Sequence, residues 1–310
     1  MAEKLSKQDI VILTTLAEYR VMTISQLGIL YSGSARPLRG KLKKLAEQKL
    51  IEIQSGPYSG KKGRPTQIFS IARAGFNFLR SNKILSYNVS YDQVGEISAH
   101  SQPHMLAIND FRVQLVQVQK IVPDLIVEFL SPNSPFVPLV SQHECMTIVY
   151  EQFAFGAEDT KWVRYTPDGV FGMTCKKEAK TLLFYLEIDM GSESLSSARG
   201  YKGSIKEKIR NYQLTYLSER YKRYESVFKC TLQGFRLLFV TNSLTRMVQM
   251  SKLINESPPS EFICITDMES LSSKGLWSAI WYKGGRLDLP SVSILGSKAP
   301  KKTIAPTDIS

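Results

Sequence analysis

Residues 35–50, ARPLRGKLKKLAEQKL, suit only one kind of helix, apolar along one stripe and cationic along the other. Leu38, Leu42 and Leu45 recur at i, i+4 and i+7, the spacing of a buried face. At about 100° per residue, Arg36, Arg39, Gly40 and Lys43 point away from that stripe, with Lys44 at its margin. Such a helix must cover a small core with its apolar side and turn its charges to solvent. Gly40 is a poor helix former. On the outer face it lets another surface come close to the backbone.

The flanking segments supply that core. Residues 6–19, SKQDIVILTTLAEY, open with Ser6 as N-cap and Asp9 three residues on, and Ile10, Leu13, Leu16 and Ala17 follow at helical spacing. TISQLGILY (23–31), capped by Thr23, is a short second helix. After the cationic helix, LIEIQ reads as a strand, SGPYSGKKGRP as a basic, turn-rich loop, TQIFSI as a returning strand and ARAGFNFLRS as a fourth helix.

Charge follows the same division. Residues 1–90 hold 15 Lys/Arg and 5 Asp/Glu, and the rest of the chain holds 25 and 23, so most of the formal +12 lies in the first third. Such asymmetry points to a polyanion-binding module joined to a near-neutral domain. A merely solubilising surface would not need such segregation.

Other classes are disfavoured. The segment MAEKLSKQDIVIL has no long apolar core, so no signal peptide is expected, and no stretch reaches about 18 uncharged apolar residues, the length of a membrane span. Cys145, Cys175, Cys230 and Cys264 are far apart and lack metal-ligand spacing. The expected compartment is a reducing bacterial cytoplasm, with no membrane partner.

The order helix, helix, helix, strand, basic loop, strand resembles a winged helix-turn-helix over about residues 6–82, and KGRPTQIFSIARAGFNFL is similar to a wing and its following helix. The resemblance implies that the third helix enters the major groove of double-stranded DNA with Arg36, Arg39, Lys43 and Lys44. Lys61, Lys62 and Arg64 on the wing would then contact phosphates or the minor groove. The alternative is a winged helix that contacts protein.

Beyond a linker at 86–103, HMLAINDFRVQLVQVQKIV (104–122) has helical spacing. PDLIVEFL, MTIVYEQF, WVRYT, GVFGM, TLLFYLEI, GFRLLFVT and EFICIT have the look of strands, with a long helix at about 199–224. The expected fold class is α/β, α+β overall, with a mixed central sheet in a domain spanning 104–292 after a first domain at 1–85. Residues 293–310 are expected to be a disordered tail. The basic segment SIKEKIRNYQLTYLSERYKRY reads as a solvated face, with a second DNA contact as the alternative.

Pro167-Asp168, an 18-residue gap and Glu187-Ile188-Asp189 resemble the PD-(D/E)xK nuclease motif. The resemblance implies that Asp168 and Glu187 bind Mg²⁺ or Mn²⁺, which would polarise a phosphate and an attacking water. Position 189 is Asp where that motif has Lys, so the site is expected to be degenerate unless Lys202, Lys206 or Lys208 substitutes. Asp168, Glu187, Asp189 and Lys206 are therefore the candidate catalytic residues. An Asp-Gly turn with two capping acids is the alternative.

The set HMLAINDFRVQL, RYTPDGVF, FYLEIDMGSES, KIRNYQLTY and RLLFVTNSLTRM, in that order after the winged helix, resembles the replication-relaxation family of plasmid and mobile-element proteins over roughly residues 6–285. That resemblance implies a duplex-DNA-binding protein serving replication, mobilisation or transcriptional control, with a homodimer as the expected assembly. A metal-dependent endonuclease and a scaffold recruiting a replication or mobilisation protein are the alternatives. His104 and Asp110 match recurrent family positions and suit an interhelical contact, and Glu193 falls in a family loop with no assigned role.

Overall fold

The computed structural model describes residues 5–31, 35–56, 66–137, 139–141, 146–155, 161–196, 203–296 and 299. The chain divides into two compact units, Met1–Val113 with Asn133–Cys145, and Gln114–Pro132 with Met146–Ile309.

In the first unit, α1 (Lys7–Tyr19) starts at Ser6, whose Oγ accepts from the Asp9 amide at 3.2 Å while Asp9 accepts from the Ser6 amide at 2.9 Å. The short strand β1 (Val21–Thr23) leads into α2 (Ile24–Tyr31), where Thr23 and Gln26 make the same reciprocal cap. Then come α3 (Ala35–Glu47), β2 (Ile51–Ser55), β3 (Gln67–Ile71) and α4 (Arg73–Ser81). The strands form an antiparallel sheet in the order β1-β3-β2. The strand β1 is too short to carry a period and is not expected from the sequence. Leu38, Leu42 and Leu45 are buried as their spacing requires, in one core with Leu13, Leu16, Phe69, Phe76 and Leu79.

Residues 86–103, read from sequence as a linker, pack into this unit. Val89 and Val94 join its core, Val94 from the one-turn helix α5 (Tyr91–Val94). The long helix α6 (Gln102–Ile121) contributes Val113 to the same core. Asn109 donates to the carbonyls of Tyr19 and Val21, and Asp110 accepts from Gln26 at 2.6 Å, an interhelical contact of the expected kind. Apolar periodicity alone does not reveal to which core a helix's flanks belong.

The second unit is built on a six-stranded mixed sheet. In chain order its first strand is β4 (Leu125–Leu130); β5 (Leu139–Ser141) falls in the first unit, and the peripheral strands β6 (Met146–Thr147), β7 (Glu151–Phe155) and β8 (Lys161–Tyr165) follow in the second. Next come β9 (Gly169–Cys175), β10 (Lys180–Asp189), α7 (Ile205–Leu217), α8 (Glu225–Phe228), β11 (Phe235–Thr241), α9 (Leu244–Asn255), β12 (Ile263–Asp267), α10 (Met268–Lys274) and β13 (Tyr282–Lys283). The sheet order is β13-β12-β11-β10-β9-β4. β4, β9 and β10 form an antiparallel meander, whereas β10, β11 and β12 run parallel. Parallel neighbours need crossover helices, which α7 and α9 provide.

The two faces of β10 explain its nearly unbroken apolar run. Phe184 lies across from Phe171, and Phe171 across from Phe129, in a stacked ladder on one face. Tyr185 faces the other way, against Tyr212, Tyr224 and Phe235. The helix expected at 199–224 is shorter. It starts at the N-cap Ser204, ends at Leu217, and gives way at Glu219 (φ 54°) to a 3-10 turn, Arg220–Tyr224. Ile294 and Leu295 are buried, so the expected tail does not begin at 293; residues 297, 298 and 300–310 lie outside the described residues. Among the described residues no helix is long and apolar enough to cross a membrane.

Candidate functional site

Two sets of residues carry chemistry, one in each unit. On α3, Arg36, Arg39, Lys43 and Lys44 are exposed, opposite the buried leucine stripe. Lys41 turns toward α1 and meets Asp9 at 3.5 Å. Lys43 pairs with Glu47 at 3.8 Å on the open surface. Such an exposed pair contributes little to stability. A Cβ added at Gly40 would meet nothing within 4 Å, so the backbone there is open to a close approach. Lys61, Lys62 and Arg64 lie outside the described residues.

In the second unit, the register Leu186↔Gly169 brings the start of β9 beside the end of β10. Asp168 and Glu187 therefore become neighbours. Asp168 Oδ2 accepts from the Ile188 amide at 2.7 Å, and its own amide donates to the Leu186 carbonyl at 3.0 Å. A Cβ on Gly169 would lie 2.1 Å from the Phe129 ring, so the Asp-Gly pair lets β9 pass close under that ring. Glu187 is buried, with Oε1 accepting from the Tyr212 hydroxyl at 2.6 Å and Oε2 from Lys208 Nζ at 2.9 Å. Lys208 also reaches Glu193 at 2.9 Å.

Burial pushes the Glu187 carboxyl up to about 7; the Lys208 ammonium opposes that rise and the Asp168 carboxylate adds to it. Lys208 loses hydration by burial, but Glu187 and Glu193 outweigh the loss and raise its pKa, so it stays protonated. Burial, with the Glu187 charge, likewise raises the Tyr212 phenol, which stays a donor.

Asp189 does not join this group. Its two oxygens accept from Arg246 at 2.7 and 3.2 Å, and Arg246 also donates to the Glu193 carbonyl. The loop after β10 is thus pinned twice, by Lys208 of α7 and by Arg246 of α9. At its start Gly191 adopts φ +80°, a left-handed turn that suits glycine.

The replication-relaxation family model matches residues 13–231, spanning both sets of residues. The chain belongs to the replication-relaxation family. No curated protein matches it.

Within this replication-relaxation protein, the sequence offers Lys202, Lys206 and Lys208 for this role, with Lys206 as the candidate catalytic residue, and the lysine found on Glu187 is Lys208. Lys202 lies outside the described residues, and Lys206 sits two positions before Lys208, about 200° around α7. Helical spacing places Tyr212 in a buried stripe with Ile205 and Ile209 but gives it no role at Glu187, and it gives Arg246 none. Tyr212 is one turn beyond Lys208, and i, i+4 spacing puts both over Glu187. Arg246 is 57 residues from Asp189 and carries no local signal.

The donor set, as arranged, does not fit Mg²⁺ or Mn²⁺. Both oxygens of Glu187 are engaged, and the Lys208 ammonium stands between Glu187 and Glu193, where a cation would bind. Among the described residues no group of three His, Cys, Asp or Glu side chains is placed to hold a metal. What the cluster does in this state is hold a strand end, a loop and a crossover helix together by charge.

Proposed function

We propose that this replication-relaxation protein binds double-stranded DNA through a winged helix-turn-helix in its first unit, in the service of plasmid or mobile-element replication, mobilisation or transcriptional control. The observation that carries this reading is α3, with Leu38, Leu42 and Leu45 buried and Arg36, Arg39 and Lys43 exposed on the opposite face. Three helices with a small antiparallel sheet form the frame that presents a helix to the major groove. Family membership and the net charge of +12 support the same partner.

The second unit is proposed as a nuclease-like fold, supported by the α6-β4-β9-β10-α7-β11 order and by Asp168 and Glu187 on adjacent strands. In it Lys208 substitutes for the metal as a counter-ion rather than assisting one. An endonuclease would require Lys208 to leave Glu187.

Binding of a labelled duplex pool by the full chain tests the first proposal. Arg36→Ala/Arg39→Ala is expected to weaken binding and, if both contact phosphates, to reduce the salt slope by roughly 2. Unchanged affinity and slope in a folded variant would refute it. Nicking of supercoiled DNA in Mg²⁺ or Mn²⁺ by the wild type, lost in both Asp168→Ala and Glu187→Ala, would establish the endonuclease instead.

A further inference from the structure

The strongest unassigned feature of the second unit lies at the opposite end of β10 from Glu187. A cavity of about 760 Å³ opens around the start of β10 and β11. Lys180 and Asp189 are the two ends of one strand, so roughly 30 Å of extended chain separates this cavity from the carboxylate cluster.

Three cations line it: Lys180, Lys229 and Arg236. None of them has an ion pair or side-chain hydrogen bond among the described residues, and Arg236 is half-buried. The strand pleat explains Arg236: Phe235 is committed to the aromatic core, so its neighbour points to the other face. Lys229 is set by the left-handed turn that ends α8 (φ 50°). One carboxylate, Glu178, also lines the cavity.

Apolar lining comes from Leu182 on Arg236's face of the sheet and from Leu183 and Phe228 on the other, where the cavity wraps the strand starts, and Thr231 and Gln233 supply hydrogen-bonding groups. A smaller cavity of about 250 Å³ shares Lys180, Leu182 and Arg236, so the two form one groove around the strand starts.

We propose that this groove binds a phosphorylated, ring-bearing small molecule of the nucleotide class. One half-buried arginine and two exposed lysines, none with a counter-ion among the described residues, favour a multiply charged anion, since phosphate accepts charge-assisted hydrogen bonds from Arg and Lys together. The volume falls in the range of small-molecule sites and exceeds what inorganic phosphate needs. The apolar wall suits a flat ring. The site is independent of α3, so its fate and that of duplex binding are separable.

The test is calorimetric titration of the full chain with ATP, inorganic pyrophosphate and a ten-nucleotide single strand. ATP is expected to bind, and pyrophosphate to bind more weakly because it lacks the ring. Lys180→Glu/Lys229→Glu changes only exposed side chains. It is expected to weaken ATP about tenfold or more, the worth of one charged hydrogen bond, and to leave duplex binding unchanged. Arg236→Ala, checked for folding by circular dichroism, is expected to act in the same direction. No heat with ATP at millimolar concentration, equal affinity in the Lys180→Glu/Lys229→Glu variant, or binding of the single strand alone would each overturn the assignment. Pyrophosphate binding as tight as ATP would overturn the ring-binding wall.

Discussion

Replacing Lys208 by methionine keeps most of the side chain's length and removes its charge, leaving Glu187, Glu193 and Asp168 to face one another. In the wild type Nζ lies 2.9 Å from an oxygen of Glu187 and 2.9 Å from one of Glu193. Removing one partner of a fully buried pair costs about 3–5 kcal/mol. The Lys208 side chain is 31% exposed, and solvent screening brings the expectation to about 2 kcal/mol at pH 8. That cost depends on the charge of Glu187. Burial holds its pKa at about 7 against an ordinary 4.5, and Lys208 pulls the other way, so in the variant the pKa moves higher still.

A carboxyl with a folded pKa above its unfolded one binds its proton more tightly when folded. Stability from this group is therefore greatest below about pH 4.5 and falls as pH rises through the folded value, by about 3 kcal/mol in the wild type. In the variant the fall continues to higher pH. At pH 5.5 Glu187 is mostly protonated in both proteins, and they are expected to differ by less than about 1 kcal/mol. Urea unfolding followed by tryptophan fluorescence reads the right unit, because Trp162, Trp277 and Trp281 all belong to the second one. An equal cost at pH 5.5 and pH 8, or none at pH 8, would refute the placement of a charged lysine on a buried glutamate.

The remaining predictions concern the frames that hold the two sites. Leu42→Ala removes a side chain that is 1% exposed beneath the cationic face, and is expected to cost about 2–5 kcal/mol, read as faster amide exchange throughout α1–α4. Gly169→Ala would drive a methyl into the Phe129 ring, which stacks on Phe171 at 5.9 Å; a loss of about 1–3 kcal/mol is expected, with a lower urea midpoint of the tryptophan transition. An unchanged midpoint would mean that the ring moves aside freely.

The elements with a strong local period were legible. α1 and α3 show their buried stripes in the spacing of Leu13, Leu16, Leu38, Leu42 and Leu45, and the Ser6–Asp9 cap follows from residue type and spacing alone. The strands β9, β10, β11 and β12 appear as short apolar runs because a central strand is covered on both faces, while β4, at the sheet edge, is only partly covered. What failed was membership rather than element type. Residues 86–103 lack a period because they are a loop and a one-turn helix, yet Val89 and Val94 enter the first core as isolated anchors. The same holds at Glu219, where a left-handed residue splits one basic, tyrosine-rich run into a helix and a 3-10 turn. Helical spacing on both sides of the break hides it.

The carboxylate cluster was only half legible for a related reason. Asp168 and Glu187 come together through strand register, and register follows from a hairpin that the sequence marks on both sides. The charges that answer them come from helices. Lys208 arrives on the crossover helix 21 residues after Glu187, and Arg246 comes from the helix beyond the next strand to meet Asp189. Position 189 is occupied by an acid, and that acid has a built partner at 2.7 Å. On the proposed nuclease-like reading, the departure from the lysine-bearing motif is a rearrangement: the cation for Glu187 comes from α7, and position 189 ties β10 to α9. A motif defined by spacing along one strand cannot show this exchange, because packing of the crossover helices decides it. Lys208 and Arg246 together clamp the loop that contains Glu193, which gives that glutamate a structural partner. A cluster so engaged can hold the sheet's end rigid without a metal, whichever partner the first unit selects.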